Sequence, residues 1–194
     1  PQAYDQEGNI VSGNDSFDME AGDVEYSGTT VPKFYGGLTN RFVYKNWELS
    51  LMFVYNFGNK MRRDCEDLSY GRPTANLHKD FDKRWRTEGD ERYTDIPVWT
   101  PQKNSAANYN LFYFSDRNIL NASYIKLRDI SLSYRLPVTF CRKFRMENVR
   151  LILQAGNLFY WAANSAGIDP EYYQLDTYKD SRKDKFGATY SVGL

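Results

Sequence analysis

The sequence predicts an all-β chain of long antiparallel strands with two chemically different faces. Three observations predict it: large apolar side chains at alternate positions, aromatic residues near the ends of the alternating runs, and long polar connections between them. Successive strand residues point to opposite sides, so such a strand is greasy on one face and wet on the other. The runs have the length of membrane-spanning strands, about 9–11 residues. A soluble β-sandwich alternates in the same way, inward to its core and outward to water. Strand length favours the barrel, because sandwich strands usually run about five or six residues.

The clearest element is the hairpin within residues 33–57. Its first arm carries Phe34, Leu38, Phe42 and Tyr44; its second carries Trp47, Leu49, Leu51, Phe53, Tyr55 and Phe57. Lys45-Asn46 is the tight polar turn, and the positions between the second arm's apolar residues are Glu48, Ser50, Met52, Val54 and Asn56. Residues 124–136 repeat the pattern, with Ile130, Leu132, Tyr134 and Leu136 opposite Asp129, Ser131, Ser133 and Arg135. In residues 148–157, Val149, Leu151, Leu153 and Ala155 oppose Arg150, Ile152, Gln154 and Gly156. Residues 185–194 place Phe186, Ala188, Tyr190, Val192 and Leu194 opposite Lys185, Gly187, Thr189, Ser191 and Gly193.

The connections differ in length. Residues 1–32 are polar, with Gly8, Gly13 and Gly28 in turn-forming pairs, and read as a small hairpin or ordered loop. Residues 58–123 are long and irregular, with a short helix expected around Phe81–Arg86; a connection of that length usually marks a functional loop. Residues 137–147 hold Pro137 and the basic cluster Arg142, Lys143 and Arg145, and residues 158–184 form a second long loop. Short turns on one side and longer loops on the other fit an outer-membrane barrel.

Composition narrows the function. Lys and Arg together number 25 and so do Asp and Glu, which argues against a nucleic-acid partner. There is no run of about 18 apolar residues, so no membrane-crossing helix is expected. Sixteen Tyr and 16% aromatic residues suit interfacial girdles or stacking on sugars and peptides. About eight strands is the bacterial minimum for a closed membrane barrel, so these few strands read as a piece of a larger protein.

Candidate chemical sites are weak. Cys65 and Cys141 have no Cys or His at ligand spacing, and alternating strands would put them on opposite rims, so neither a metal nor a disulfide is expected. His78 is the one histidine and lies among charged loop residues without a nucleophile motif. Asp5-Gln6-Glu7-Gly8-Asn9 fails the calcium-loop spacing and reads as a turn. Asp169-Pro170-Glu171 offers two carboxylates, but Asp-Pro is first a turn signal, and no catalysis or cofactor is expected there.

Three stretches carry a family resemblance: PKFYGGLTNRFVYKNWELSLMFVYNFGNK from Pro32, ASYIKLRDISLSYRLP over Ala122–Pro137, and LQAGNLFYWAANSAGIDPE over Leu153–Glu171. They resemble, in order, the C-terminal part of a SusC/RagA-type TonB-dependent outer-membrane transporter of Bacteroidetes. The resemblance implies a barrel of about 22 strands around a plug, a SusD-like surface lipoprotein as lid, and TonB-driven import of glycans or oligopeptides. It also implies that residues 1–32, 58–123 and 158–184 are extracellular loops and that the plug lies outside this sequence. The family's final aromatic residue, its assembly signal, is not present here.

On that frame, Arg41, Glu48, Asn56, Asp129, Arg135, Arg150 and Gln154 have lumen parity, as plug contacts, a polar solute path, or ion pairs among themselves. Trp47, Leu49, Leu51, Phe53, Tyr55, Leu132, Tyr134, Leu151, Leu153, Phe186 and Tyr190 have lipid parity. The loop aromatics Tyr109, Phe112, Tyr113, Phe114, Trp161, Tyr172 and Tyr173 are candidates for stacking on substrate, for packing the loops, or for meeting the lid. The rivals to a non-enzymatic importer are a soluble glycan-binding β-sandwich and, behind it, a glycoside hydrolase fragment.

Overall fold

The computed structural model describes residues 3–4, 7–11, 22, 24–63, 79–98, 111–171, 173–175, 180–182 and 187–194. The chain divides into two units, one of Thr29–Met61 with Asn121–Leu194, the other of Pro1–Gly28 with Arg62–Leu120. In chain order the strands are β1 (Ala3–Tyr4), β2 (Ile10–Val11), β3 (Phe34–Tyr44), β4 (Trp47–Phe57), β5 (Lys60–Arg62), β6 (Ile119–Asn121), β7 (Tyr124–Arg135), β8 (Arg150–Ala162), β9 (Tyr173–Leu175), β10 (Asp180–Arg182) and β11 (Thr189–Gly193).

The first unit is built on one five-stranded sheet in the order β11-β8-β7-β4-β3, with every neighbour antiparallel. β3 and β4 run 11 residues each, β7 runs 12 and β8 runs 13. The β3–β4 pairing is unbroken from Phe34↔Phe57 to Tyr44↔Trp47. Lys45 takes a φ of 52° at the connection, the positive value that suits a two-residue hairpin turn to twisted strands. The ladder continues past this turn, where the Arg135 N–H donates to the Asn46 carbonyl at 2.9 Å and Leu136 N–H donates to Val149 at 3.0 Å.

Register places the apolar residues of all five strands together. Leu49 lies between Phe42 and Leu132, and Leu132 lies opposite Leu153, which lies opposite Val192. Among the described residues no second sheet covers this face: Phe34 is 70% exposed and Val192 78%. A sandwich would have buried those side chains, so the sandwich alternative does not match this architecture.

Strict alternation breaks once. Between Met52 and Phe53 the pairing to β7 jumps from Asp129 to Leu127, making Arg128 the inserted residue of a bulge. β8 shifts beside it, with Asn157 at a φ of 55°. Beyond the bulge Ile125 and Leu127 rejoin the apolar face, and Lys126 and Tyr124 join the polar one.

In the second unit β1 and β2 pair as a tiny hairpin. Where a short helix is expected near Phe81–Arg86, a 3-10 helix covers Lys79–Lys83 instead. The residues that follow turn at once because the Asp90 carboxylate captures the backbone N–H groups of Arg86 and Thr87, at 2.9 and 3.0 Å. Those two bonds, Thr87's first, hold the Asp90 carboxyl below its ordinary range.

Gly156, opposite Thr189, makes close strand approach possible: a Cβ there would stand 2.7 Å from the Thr189 Oγ1. Gly156→Ala in the full-length protein is expected to cost about 1 kcal/mol by overpacking. Gly187→Ala, with nothing within 4 Å of its added Cβ, serves as the control in thermal melts. Equal melting temperatures for the two variants would refute the close packing.

Candidate functional site

The polar face of the sheet carries two charged clusters at opposite ends. At the hairpin-turn end, Glu48 accepts from Arg41 Nε at 2.8 Å and from Arg150 Nη2 at 2.5 Å. Arg135 sits directly opposite Arg150 in the β7–β8 register, a like-charge juxtaposition that costs free energy by itself. Two arginines therefore share one carboxylate, and a third stands opposite one of them. Between the ends, Ser191 Oγ donates to Gln154 Oε1 at 3.4 Å; at the end away from the turn, Asn56 faces Tyr35 and Tyr124 across its two ladders.

At the other end the bulge gathers a tighter network. Lys126 Nζ donates to Asp169 Oδ2 at 2.8 Å and to Glu171 Oε2 at 2.5 Å, while Arg128 pairs with the other Glu171 oxygen. The Lys126 and Asp169 side chains are about 95% buried (5% and 6% exposed). Lys126 also lies 5.2 and 5.7 Å from the ring centres of Tyr124 and Tyr160, within cation–π range. The segment Asn164–Ile168 closes on itself through Asn164, whose side chain donates to the Ile168 carbonyl at 2.8 Å and accepts from its N–H at 3.1 Å. Burial pushes the Glu171 carboxyl up, but the hydrogen bonds and charges of Lys126 and Arg128 outweigh it, and the pKa falls below the ordinary value of 4.5. The result is a loop clipped to the sheet by charge.

The second unit has its own polar core. Asn118 is wholly buried and accepts from Arg63 Nε and Nη2 at 3.2 and 3.1 Å, and Arg63 also pairs with buried Asp80 at 3.0 Å. Arg62 lies 5.5 and 5.2 Å from the ring centres of Tyr113 and Phe114 and donates to the Tyr113 carbonyl at 2.5 Å. An open cavity of about 680 Å³ borders Arg63, Asp80 and Asn118, with Lys83, Arg117, Asp95 and Tyr93 on its walls.

No protein-family model matches the chain. Curated relatives do: TonB-dependent receptor P39 of Formosa agariphila is 31% identical over 164 residues, 81% of this chain and 15% of its own length. TonB-dependent receptor P3 of the same organism is 26% identical over 154 residues, 79% of this chain and 14% of its own length. Among solved structures, the RagAB peptide importer in its closed-closed state is 25% identical with a TM-score of 0.58, covering 88% of this chain and 18% of that one. The open-open state shares the fold at 22% identity and a TM-score of 0.57, with the same coverage. These matches support a fragment of a SusC/RagA-type TonB-dependent transporter. The chain spans about one seventh of the length of those curated relatives, and its antiparallel sheet is similar to part of the transporter barrels among its structural neighbours.

Within the transporter segment, the register puts Arg41, Glu48, Asn56, Asp129, Arg135, Arg150 and Gln154 on one face. Trp47, Leu49, Leu51, Phe53, Tyr55, Leu132, Tyr134, Leu151, Leu153 and Tyr190 lie on the other. Phe186, His78, Cys65, Tyr109 and Tyr172 lie outside the described residues, and Tyr173 is described only as the first residue of β9.

The loop aromatics do not form one group. Phe112 is buried at 3% exposure and packs the loop, whereas Phe114 is 65% exposed. Trp161 needs a correction: it stands in β8 opposite Ile125, not in a loop, because the ladder continues past the bulge to Ala162. Lys126 and Arg128 were missed as site residues. Their signal was the three-residue step from Leu127 to Ile130, where alternation requires two. Glu171 and Asp169 were noticed as a carboxylate pair, but their partners lie more than 40 positions away in sequence.

Lys126→Met strands the Asp169 carboxylate, and such breakage of a buried pair costs about 3 kcal/mol. Amide exchange across residues 164–171 of the full-length transporter should then quicken by about a hundredfold; unchanged exchange would refute the clip. Because the native pKa of Glu171 is depressed, its contribution is complete above 4.5 and disappears as pH falls through the native value. Protection in this segment, taken relative to the intrinsic exchange rate at each pH, should therefore fall on acidification below 4.5, and Glu171→Gln should flatten that dependence.

Proposed function

We propose that these strands form part of the wall of an outer-membrane importer, with the apolar face against lipid and the polar face toward the lumen. The observation that carries the reading is the sheet itself: four strands of 11 to 13 residues with, among the described residues, one uncovered apolar face and one charged face. Trp47 and Tyr134 pack with tilted rings, centres 4.5 Å apart, at the turn end of the apolar face, and Phe159 and Trp161 stand near its other end. Aromatic bands at both ends are what the two bilayer interfaces favour.

The lumenal reading gives the two charged clusters separate roles. The Lys126–Asp169–Glu171 clip holds a loop at the mouth. The arginine excess at the turn end offers contacts to a plug or a path for polar solutes. Import by the whole protein, driven through TonB and shared with a SusD-like lipoprotein lid, is supported by the receptor names of the relatives and by the RagAB neighbours. The solute is a glycan or an oligopeptide, contacted by exposed loop groups such as Phe114 and the mixed-charge cavity beside Arg63.

Two measurements test this. Leu51→Arg and Leu151→Arg should each cost about 2–4 kcal/mol, as for a cation at the bilayer midplane, while Ser50→Arg and Ser131→Arg cost far less. Heat-modifiable gel mobility of the full-length transporter reads the folded fraction, and equal losses on both faces would sink the lipid assignment. For the cargo, deletion of the gene should abolish uptake of either labelled oligopeptides or labelled oligosaccharides, restored by the intact gene. Undiminished uptake of both would count against import.

A further inference from the structure

We propose that the turn helix Val138–Lys143 and the residues that cap it form a lipid-anchoring site for the phosphate headgroups of anionic phospholipids, with Phe140 and Phe144 seated among the adjoining acyl chains. The position follows from the ladder. The Arg135 and Leu136 N–H groups make its last bonds, to Asn46 and Val149, at the same end of the sheet as the Trp47–Tyr134 pair. Val138 is four positions beyond Tyr134, a reach of no more than about 13 Å. A helix that close to an interfacial aromatic pair stands at headgroup depth.

The helix is built with a fixed side and an exposed side. Cys141 is 1% exposed, its Sγ 3.9 Å from the Leu136 carbonyl, and it holds the helix to the chain that precedes it. Phe140 and Phe144, four positions apart, share the next face with ring centres 5.3 Å apart, and both are about half exposed (47% and 60%). Val138 and Met146 are exposed beside them. Arg142, Lys143 and Arg145 are exposed too, and the one acid adjoining them is Glu147.

The helix end adds a second observation. Arg145 N–H donates to Arg142 and Met146 N–H donates to Cys141, each at 3.1 Å, the bond pair of a Schellman cap. The left-handed residue of that cap is usually glycine, yet here Arg145 holds it at a φ of 56°. A strained position thus carries a third cation. Exposed aromatics flanked by basic residues are the chemistry of an interfacial segment, rings below the headgroups and cations on phosphate.

The test uses the full-length transporter in nanodiscs of phosphatidylcholine with phosphatidylglycerol. Benzoylphenylalanine in place of Phe144 should, on illumination, yield an adduct of phospholipid mass. An adduct to a peptide of this or another protein, a second copy included, overturns the proposal, and so does no adduct. Arg145→Gly supplies the control for folding, since glycine relieves the cap: its melting temperature should equal or exceed that of the parent. Retention of phosphatidylglycerol over phosphatidylcholine, read by native mass spectrometry, should nonetheless fall about fivefold per cation removed. An unchanged ratio in both Arg145→Gly and Arg142→Gln overturns the headgroup assignment.

Discussion

Inside a bilayer no water is available to satisfy a peptide group, so each backbone N–H and C=O must find its partner within the protein. The continuous ladder from β11 to β3 answers that constraint. It forces strands of spanning length, since a break in pairing at mid-membrane would leave orphan groups in hydrocarbon. It also forces the period of two, because a residue in a regular ladder can face only lipid or lumen. The apolar and polar faces follow from the ladder, and so does the two-residue turn at Lys45-Asn46.

The bulge at Arg128 is where the ladder yields to the polar face. One inserted residue shifts parity, so that Lys126, instead of a neighbouring leucine or isoleucine, meets the loop carboxylates. Were Arg128 paired in strict alternation instead, Lys126 would point to the apolar side, away from Asp169 and Glu171. Two lysine bonds and an arginine pair then compensate a desolvation that would be prohibitive for either charge alone.

The two ends of the polar face differ in how complete they are. At the loop end, cations and anions are matched within the segment. At the turn end, Arg41 and Arg150 share Glu48, Arg135 stands opposite Arg150, and Arg150 Nε is buried without an acceptor among the described residues. A surface that completes its charge balance internally acts as a clip, whereas one with excess cation is suited to meeting something else. The loop unit follows the first pattern, with Arg63, Asp80 and Asn118 closing its core.

The sequence by itself determined the strands and their two faces. Alternation is a local property, and Leu49, Leu51 and Phe53 announce their side to any reader who counts by two. The turn at Lys45-Asn46 was equally local. Only the tertiary structure decided what depends on register between distant strands: the Glu48 bridge to Arg150, the like-charge pair at Arg135, and the clip joining Lys126 to Glu171. It also moved Trp161 from a loop into β8 and buried Phe112, since pairing partners and loop cores are set by contacts remote in sequence. Periodicity tells which way a side chain points, but only the fold brings it a partner.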